Sequence, residues 1–179
     1  MSTIRFSTFP RTVPPADFAR DVVAVFEAHE PSISTTELVK GLTSNAVLTV
    51  LRPALMKLGF EVEAGKHKEE KILRPVFFGE NGKPILQYEI DAYHADWECA
   101  LEVEAGRAWM GNAVYRDLVQ ACVMVRVKYL VLAVPNTYKF QGQGKPMVSR
   151  DYENTIAVAD ALYGHTRLVM PYDLIVIGY

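Results

Sequence analysis

The sequence predicts one α/β domain, and three observations carry that reading. The chain has 179 residues, long enough to bury a full core, and is half hydrophobic and 22% charged, an ordinary globular balance. Segments with helical apolar spacing are interleaved with short strand-like runs, in the order helix, helix, three antiparallel-type strands, helix, strand, helix, strand. The stretch Tyr129–Val134 (YLVLAV) is continuously apolar, as expected of a strand covered on both faces inside a sheet.

Residues Met1 to Pro15 read as an irregular arm punctuated by Pro10, Pro14 and Pro15. A first helix begins near Asp17, with Phe18, Val22, Val25 and Phe26 along one face, and is expected to stop at Pro31. A short turn-rich piece follows, capped by Ser34 or Thr35 with Glu37 or Leu38 beyond, ending at Gly41. The second helix starts at Thr43 or Ser44 and carries the stripe Val47, Leu48, Leu51, Leu55 and Leu58. Pro53 is expected to kink or split it, and Gly59 to end it.

The segment 60–71 reads as an extended start followed by a solvated charged loop. Arg74–Gly79 is a short strand, and the following ENGK marks a hairpin because Asn-Gly favours primed turns. Pro84–Tyr93 is the next strand, His94–Trp97 a hairpin tip, and Cys99–Ala105 the third strand. After a loop, Asn112 is a plausible cap for a helix over NAVYRDLVQACVMV. Past Pro135, the polar segment NTYKFQGQGKPMVSR reads as a long loop. Asp151–Tyr163 then reads as a helix and Leu174–Gly178 as a last strand.

The totals also exclude several classes. A formal net charge of −2 gives no global attraction to nucleic acid, so such a role needs local basic surface. Cys99 and Cys122 lack metal-ligand spacing and read as buried thiols. The absence of an apolar signal core or a run long enough to span a bilayer predicts a cytoplasmic chain without membrane contact. His29, His67, His94 and His165 are too scattered for a zinc site. There is no glycine-rich phosphate loop after a strand and no Gly-x-Ser-x-Gly elbow.

The chemistry concentrates in Tyr88–Gly106 (YEIDAYHADWECALEVEAG). Along strands, Glu89 shares a face with Asp91, and Glu102 with Glu104. A hairpin would bring the two faces together and crowd four carboxylates, an arrangement that needs water, basic neighbours or a cation. Magnesium takes hard oxygen ligands, commonly one or two carboxylates. Asp91 and Glu102 fit that pair, the Val103 carbonyl can add a third oxygen, and Glu104 is placed to bind a second ion or orient water. A solvated acidic sheet face is the alternative; the apolar neighbours Ile90, Ala92, Leu101 and Val103 argue against it.

The motif Ile90-Asp91, ten intervening residues, then Glu102-Val103-Glu104, set in the order helix, three strands, helix, strand, resembles the PD-(D/E)XK nuclease superfamily. The likeness runs from about Ser44 to Asn136, roughly half of the chain. It implies a restriction-endonuclease-like fold: a central mixed sheet of about five strands flanked by helices, with residues 1–42 as an N-terminal helical extension. Residues 43–136 would be the core, and 137–179 the basic loop with the last helix and strand.

The resemblance further implies a magnesium- or manganese-dependent nuclease cleaving phosphodiester bonds in DNA, with Asp91, Glu102 and Glu104 catalytic and Asp91, Glu102 and Val103 on the metal. Two positions depart from the pattern. Ile90 replaces the proline, which is common in such proteins. Glu104 replaces the lysine assigned to the attacking water; some restriction endonucleases of the superfamily carry Glu there. A catalytically inactive domain that binds nucleic acid or a protein partner is therefore the alternative.

By the same resemblance, Asn45 in the first core helix is a candidate site residue, with helix-start capping as its other reading. Arg116 and Gln120 share a helix face and could meet phosphate, or simply be surface polarity. Lys139, Lys145 and Arg150, in a loop without acids and interleaved with Tyr138 and Phe140, suit a nucleic-acid backbone or an ordinary exposed loop. Cutting both strands would call for a homodimer, since each chain carries one motif.

Overall fold

In the computed structural model, residues 2–36, 38, 41–65, 67–106, 108–142 and 144–179 are described. The apolar run at Tyr129–Val134 lies inside a six-stranded mixed sheet, as its two-sided burial demands. From edge to edge the strands are β1 (Arg5–Phe9), β10 (Asp173–Gly178), β7 (Tyr129–Val134), β6 (Cys99–Val103), β5 (Ala92–His94) and β2 (Glu61–Val62). The three central strands run parallel and the outer pairings are antiparallel. Two hairpins stand apart from this sheet: β3 (Ile72–Phe78) with β4 (Pro84–Ile90), and β8 (Tyr138–Gly142) with β9 (Lys145–Ser149).

Side chains alternate across the sheet and build two cores. Helices α1 (Ala19–Ile33) and α2 (Ser44–Lys57) bring Val22, Phe26, Val47 and Leu51 against Leu101, Val103, Val131 and Ile175. On the other face, α3 (Ala113–Ala121) and α4 (Asp151–Gly164) bring Leu118 and Ala159 against Ala100, Leu130, Leu132 and Val176. The predicted α/β class with helix-flanked mixed sheet is therefore what the chain forms, with one strand more than expected.

Two of the sheet's strands were not among those expected, β1 from the N-terminal arm and β2 from the extended start of 60–71, while the expected strand Arg74–Gly79 lies in the separate β3–β4 hairpin. Arg5–Phe9, expected as irregular, pairs antiparallel with β10 from Arg5↔Gly178 to Phe9↔Leu174. It covers a strand edge that would otherwise present unpaired amides and carbonyls. Residues 1–42 are thus more than a helical extension, because they complete the sheet and pack α1 onto it. The short piece after α1 falls partly on Glu37, Val39 and Lys40, outside the described residues. Ser34 and Thr35 are buried, and the Thr35 hydroxyl donates to the Tyr179 carbonyl at 2.7 Å instead of capping a helix.

Proline proved a weaker punctuation mark than expected. Helix α1 continues past Pro31 to Ile33, because Ser34 N–H still bonds Glu30 O at 2.8 Å and Ile33 is fully buried. Helix α2 continues through Pro53, which is exposed, so water can satisfy the carbonyl that proline leaves free while Val47, Leu48, Leu51 and Leu55 hold the buried side. Thr43 caps α2, its hydroxyl accepting from Ala46 N–H at 3.3 Å. Asn112 does not cap α3 through its side chain; it takes a left-handed backbone, and its carbonyl accepts from Arg116 N–H.

Two further differences matter for function. The expected strand Pro84–Tyr93 is broken at Asp91, with β4 leaving for its own hairpin and β5 entering the central sheet. The expected loop after Pro135 is the β8–β9 hairpin, turned by Gly144 at φ 74°.

Gly59 ends α2 as read from the sequence. At φ 101° it lets Gly59 N–H reach Met56 O and Phe60 N–H reach Leu55 O, each within 3.1 Å. A Cβ there would stand 2.8 Å from His94 Nε2. Gly59→Ala should therefore cost about 2–3 kcal/mol, through strain and a clash with a buried imidazole. Thermal unfolding is expected to show a Tm roughly 5–10 °C lower.

Candidate active site

The break at Asp91 is what assembles the candidate site. The β5–β6 ladder ends at Ala92↔Leu101, so its next step sets Asp91 opposite Glu102. Both side chains project to the α3 face, since Tyr93 and Ala100, two residues away on each strand, belong to that core. Val103 lies beyond the last ladder pair, and its N–H goes to Asp91 Oδ2 at 2.7 Å. Its carbonyl lies on the same side of the strand, beyond the last pair of the β5–β6 ladder. Asp91 is further held through its backbone, whose carbonyl accepts from Glu63 N–H at 2.8 Å.

Glu102 sits on the central strand with only 8% of its surface exposed, and among the described residues its carboxylate has no hydrogen-bond partner. Glu104 follows on the same face. Its backbone is fixed twice: its N–H donates to Ala133 O at 2.8 Å, and its carbonyl accepts from the buried Tyr179 hydroxyl at 2.5 Å. Its carboxylate is clamped by Arg116, Nη2 to Oε1, at 2.7 Å.

A cavity of about 430 Å³ opens in front of Asp91 and Glu102, whereas Val103 and Glu104 are not among the residues that line it. Asp91, Glu102, Asn45, Arg116 and Gln120 all line it, so the structure brings together most of the candidates read from the sequence. Asn45 is exposed in the first turn of α2 and leaves the capping to Thr43. Glu89 is displaced from the expected cluster of four: its strand belongs to the β3–β4 hairpin, and its side chain is largely exposed at the cavity rim. Lys139, Lys145 and Arg150 lie on or just after the β8–β9 hairpin and do not line this cavity. His94, expected at a hairpin tip, ends β5 instead, buried and stacked on Trp97 at 3.7 Å between ring centroids.

The family described as "Putative halobacteria restriction endonuclease" matches residues 3–179. The chain belongs to that family. No curated protein sequence matches it. Among solved structures, a crystal structure of restriction endonuclease BglII complexed with a DNA 16-mer is similar over 99% of this chain and 76% of that one, at 9% identity and a TM-score of 0.44. Family membership bears out the resemblance drawn from the Asp91 and Glu102-Val103-Glu104 motif, and it supports a nuclease-like function.

Three further residues lining this cavity escaped the sequence reading: Asp117, Glu63 and Lys71. Asp117 is an acid on the buried stripe of α3, three residues after Val114 and four before Ala121, with only 2% of its surface exposed. Its Oδ1 accepts from Arg116 Nε at 2.9 Å, while Oδ2 is buried without a partner. An Asp at a position where helical spacing demands an apolar residue was a legible signal. Glu63 and Lys71, by contrast, come from the segment taken for a solvated charged loop. Glu63 is buried and bonds Lys71 Nζ at 2.7 Å.

Burial and mutual repulsion raise the affinity of these carboxylates for protons. Burial pushes the Asp91 pKa up to about 6, opposed by the Val103 N–H and reinforced by Glu63 and Asp117. Burial, then the negative charges of Asp91, Asp117 and Glu104, push Glu102 well above the usual carboxylate range. Burial and Asp117 push Glu104 up to about 8, against the attraction of Arg116.

Such a cluster fits a hard cation. Five acids line the cavity, Glu63, Glu89, Asp91, Glu102 and Asp117, against the two cations Lys71 and Arg116, and one buried oxygen, Asp117 Oδ2, has no partner among the described residues. Among the described residues, no three Asp, Glu, His or Cys side chains are disposed to enclose an ion by themselves. Magnesium and manganese are commonly held by one or two carboxylates, with water, carbonyl and phosphate oxygens completing the shell.

The sign of the linkage follows from these raised values. The folded state holds protons on Asp91 and Glu104 that the unfolded chain has already released, so stability falls as pH rises from about 4.5 to about 8. The metal-free protein should melt at a lower temperature at pH 8.5 than at pH 5.5. Glu104→Gln should flatten the upper part of that profile, and added magnesium should raise the Tm most at the alkaline end.

Proposed function

We propose that this chain is a divalent-metal-dependent nuclease hydrolysing phosphodiester bonds in DNA. The observation that carries the reading is the convergence of Asp91 and Glu102 on one face of the sheet, the second buried and unpartnered, at the floor of an open cavity. Asp91, Glu102 and the Val103 carbonyl would hold magnesium or manganese. Bound there, the ion supplies charge neutralisation for the phosphate and an acidified water.

The chain's own groups account for the rest. The Val103 N–H keeps Asp91 aimed at Glu102. Glu104, two residues after Glu102 on the same strand face and held by Arg116, would orient the attacking water and take its proton. Asn45 and Gln120, at the cavity wall, are placed to hydrogen-bond phosphate oxygens. Lys139, Lys145 and Arg150, on the β8–β9 arm, would hold the backbone further from the cleavage point. Since each chain has one such cavity, cutting both strands of a duplex would use a pair of chains.

A second reading has one observation in its favour. The carboxylate that replaces the motif lysine is already clamped by Arg116, which suits a silent domain that binds DNA or a protein partner without cutting.

The two readings part on plasmid DNA with magnesium or manganese. The nuclease reading expects nicked or linear product from the wild type and a loss of roughly 10²-fold or more in Asp91→Ala. Equal rates in both proteins would remove Asp91 from the site, and a wild type that binds DNA without cutting it would favour the silent domain. In metal-free binding, Lys145→Ala should weaken affinity evenly across sequences. It should also lower the slope of log affinity against log salt by about 0.9, the share of one phosphate contact.

A further inference from the structure

The motif position that carries lysine in the resembling nucleases is Glu104 here, yet the cavity still contains a lysine. Lys71 is the one lysine among the described residues lining it. It reaches the cavity from outside the motif, by the geometry of two ladders. The β3–β4 ladder ends with Ile72↔Ile90, so its next step sets Lys71 opposite Asp91. The β5–β6 ladder, continued by one step, sets Asp91 opposite Glu102. Continued so, the two ladders bring Lys71, Asp91 and Glu102 level with one another, and all three line the cavity, with Asp91 where the chain passes between the sheets.

The ammonium is held there. Nζ lies 2.7 Å from Glu63 Oε1 and 3.5 Å from Glu89 Oε2, with the side chain about four-fifths buried. Glu63 is itself tied to Asp91, since its N–H donates to the Asp91 carbonyl. An ammonium has three N–H donors, of which Glu63 and Glu89 account for two, and Lys71 lines the cavity. Glu63 also favours the charged form of Lys71. The other cation at the wall, Arg116, is engaged by Glu104 and Asp117.

We propose that Lys71 is a catalytic residue of this site, its ammonium meeting a non-bridging oxygen of the scissile phosphate from the β3 side of the cavity. This rests on the nuclease reading above. In the step it assists, the water oxygen bonds to phosphorus and one phosphoester P–O bond breaks. The water proton leaves through the Glu104 carboxylate, and the departing alkoxide takes a proton from solvent. Lys71 stays protonated throughout, so ester and water become a phosphomonoester and an alcohol. The lysine missing from β6 is thereby replaced by one that reaches the cavity from the start of β3.

Lys71→Met alone would leave Glu63 buried without its counter-charge, so it is paired with Glu63→Gln and compared with Glu63→Gln alone. With magnesium and saturating plasmid, the double variant should lose about 10²–10³-fold in kcat relative to Glu63→Gln. In the Glu63→Gln background, Lys71→Ala should regain at least about tenfold when ethylammonium is added, a response that a merely structural lysine would not give. Without metal, the double variant should bind an oligonucleotide duplex with a salt slope lower by about 0.9 than that of Glu63→Gln, a readout independent of cleavage. Full activity in the double variant, absence of rescue by the amine, or an unchanged slope would each overturn the assignment. If Asp91→Ala is silent while the double variant cuts at the Glu63→Gln rate, Lys71 fails and the nuclease reading stands; a silent wild type removes both.

Discussion

The hydrogen bond from Val103 N–H to Asp91 Oδ2 closes the point where the chain leaves one sheet and enters another. Had Pro84–Tyr93 stayed a single strand, Val103 would have found a backbone partner at residue 90, and Asp91 would have been one ladder residue among others. Because β4 departs, the Val103 amide has no strand to pair with, and an unpaired amide at that depth is costly. The Asp91 carboxylate fills the vacancy. The same departure swings β3 round so that Lys71 comes level with Asp91. One strand break thus places the acid and delivers a cation to the cavity.

The electrostatic cost of the arrangement is carried by the fold around it. Glu102 and Asp117 are on positions where a sheet and a helix bury apolar side chains, and nothing in the protein neutralises them fully. The apolar packing of both sheet faces, from Val22 and Leu51 on one side to Leu118 and Leu132 on the other, offsets that penalty. A centre strained in this way gains most from binding a cation, because neutralisation relieves several repulsions at once.

Much of the architecture could be read from residue order. The helical stripes of α1 and α2, the Gly59 stop, the Asn81-Gly82 hairpin and the two-sided strand β7 all follow from local rules that the structure respects. Local rules failed where long-range pairing outweighed them. Arg5–Phe9 is a strand because β10 needed a neighbour, Pro31 and Pro53 are tolerated because buried side chains hold the helices, and the polar segment after Pro135 folds back on itself as a hairpin.

For the site, the sequence by itself determined the acids. The spacing from Asp91 to Glu102-Val103-Glu104, within alternating apolar residues, was enough to single them out, because strand periodicity is a local property that a linear text records. Only the tertiary structure decided their company. Glu89 left the cluster when its strand changed sheets, and Asp117 joined it across the helix–sheet interface. Lys71 emerged from what read as a solvated loop to line the cavity with Asp91 and Glu102. Which groups share a cavity depends on where a strand breaks, and that is settled by competition among distant pairings that no short window of sequence contains.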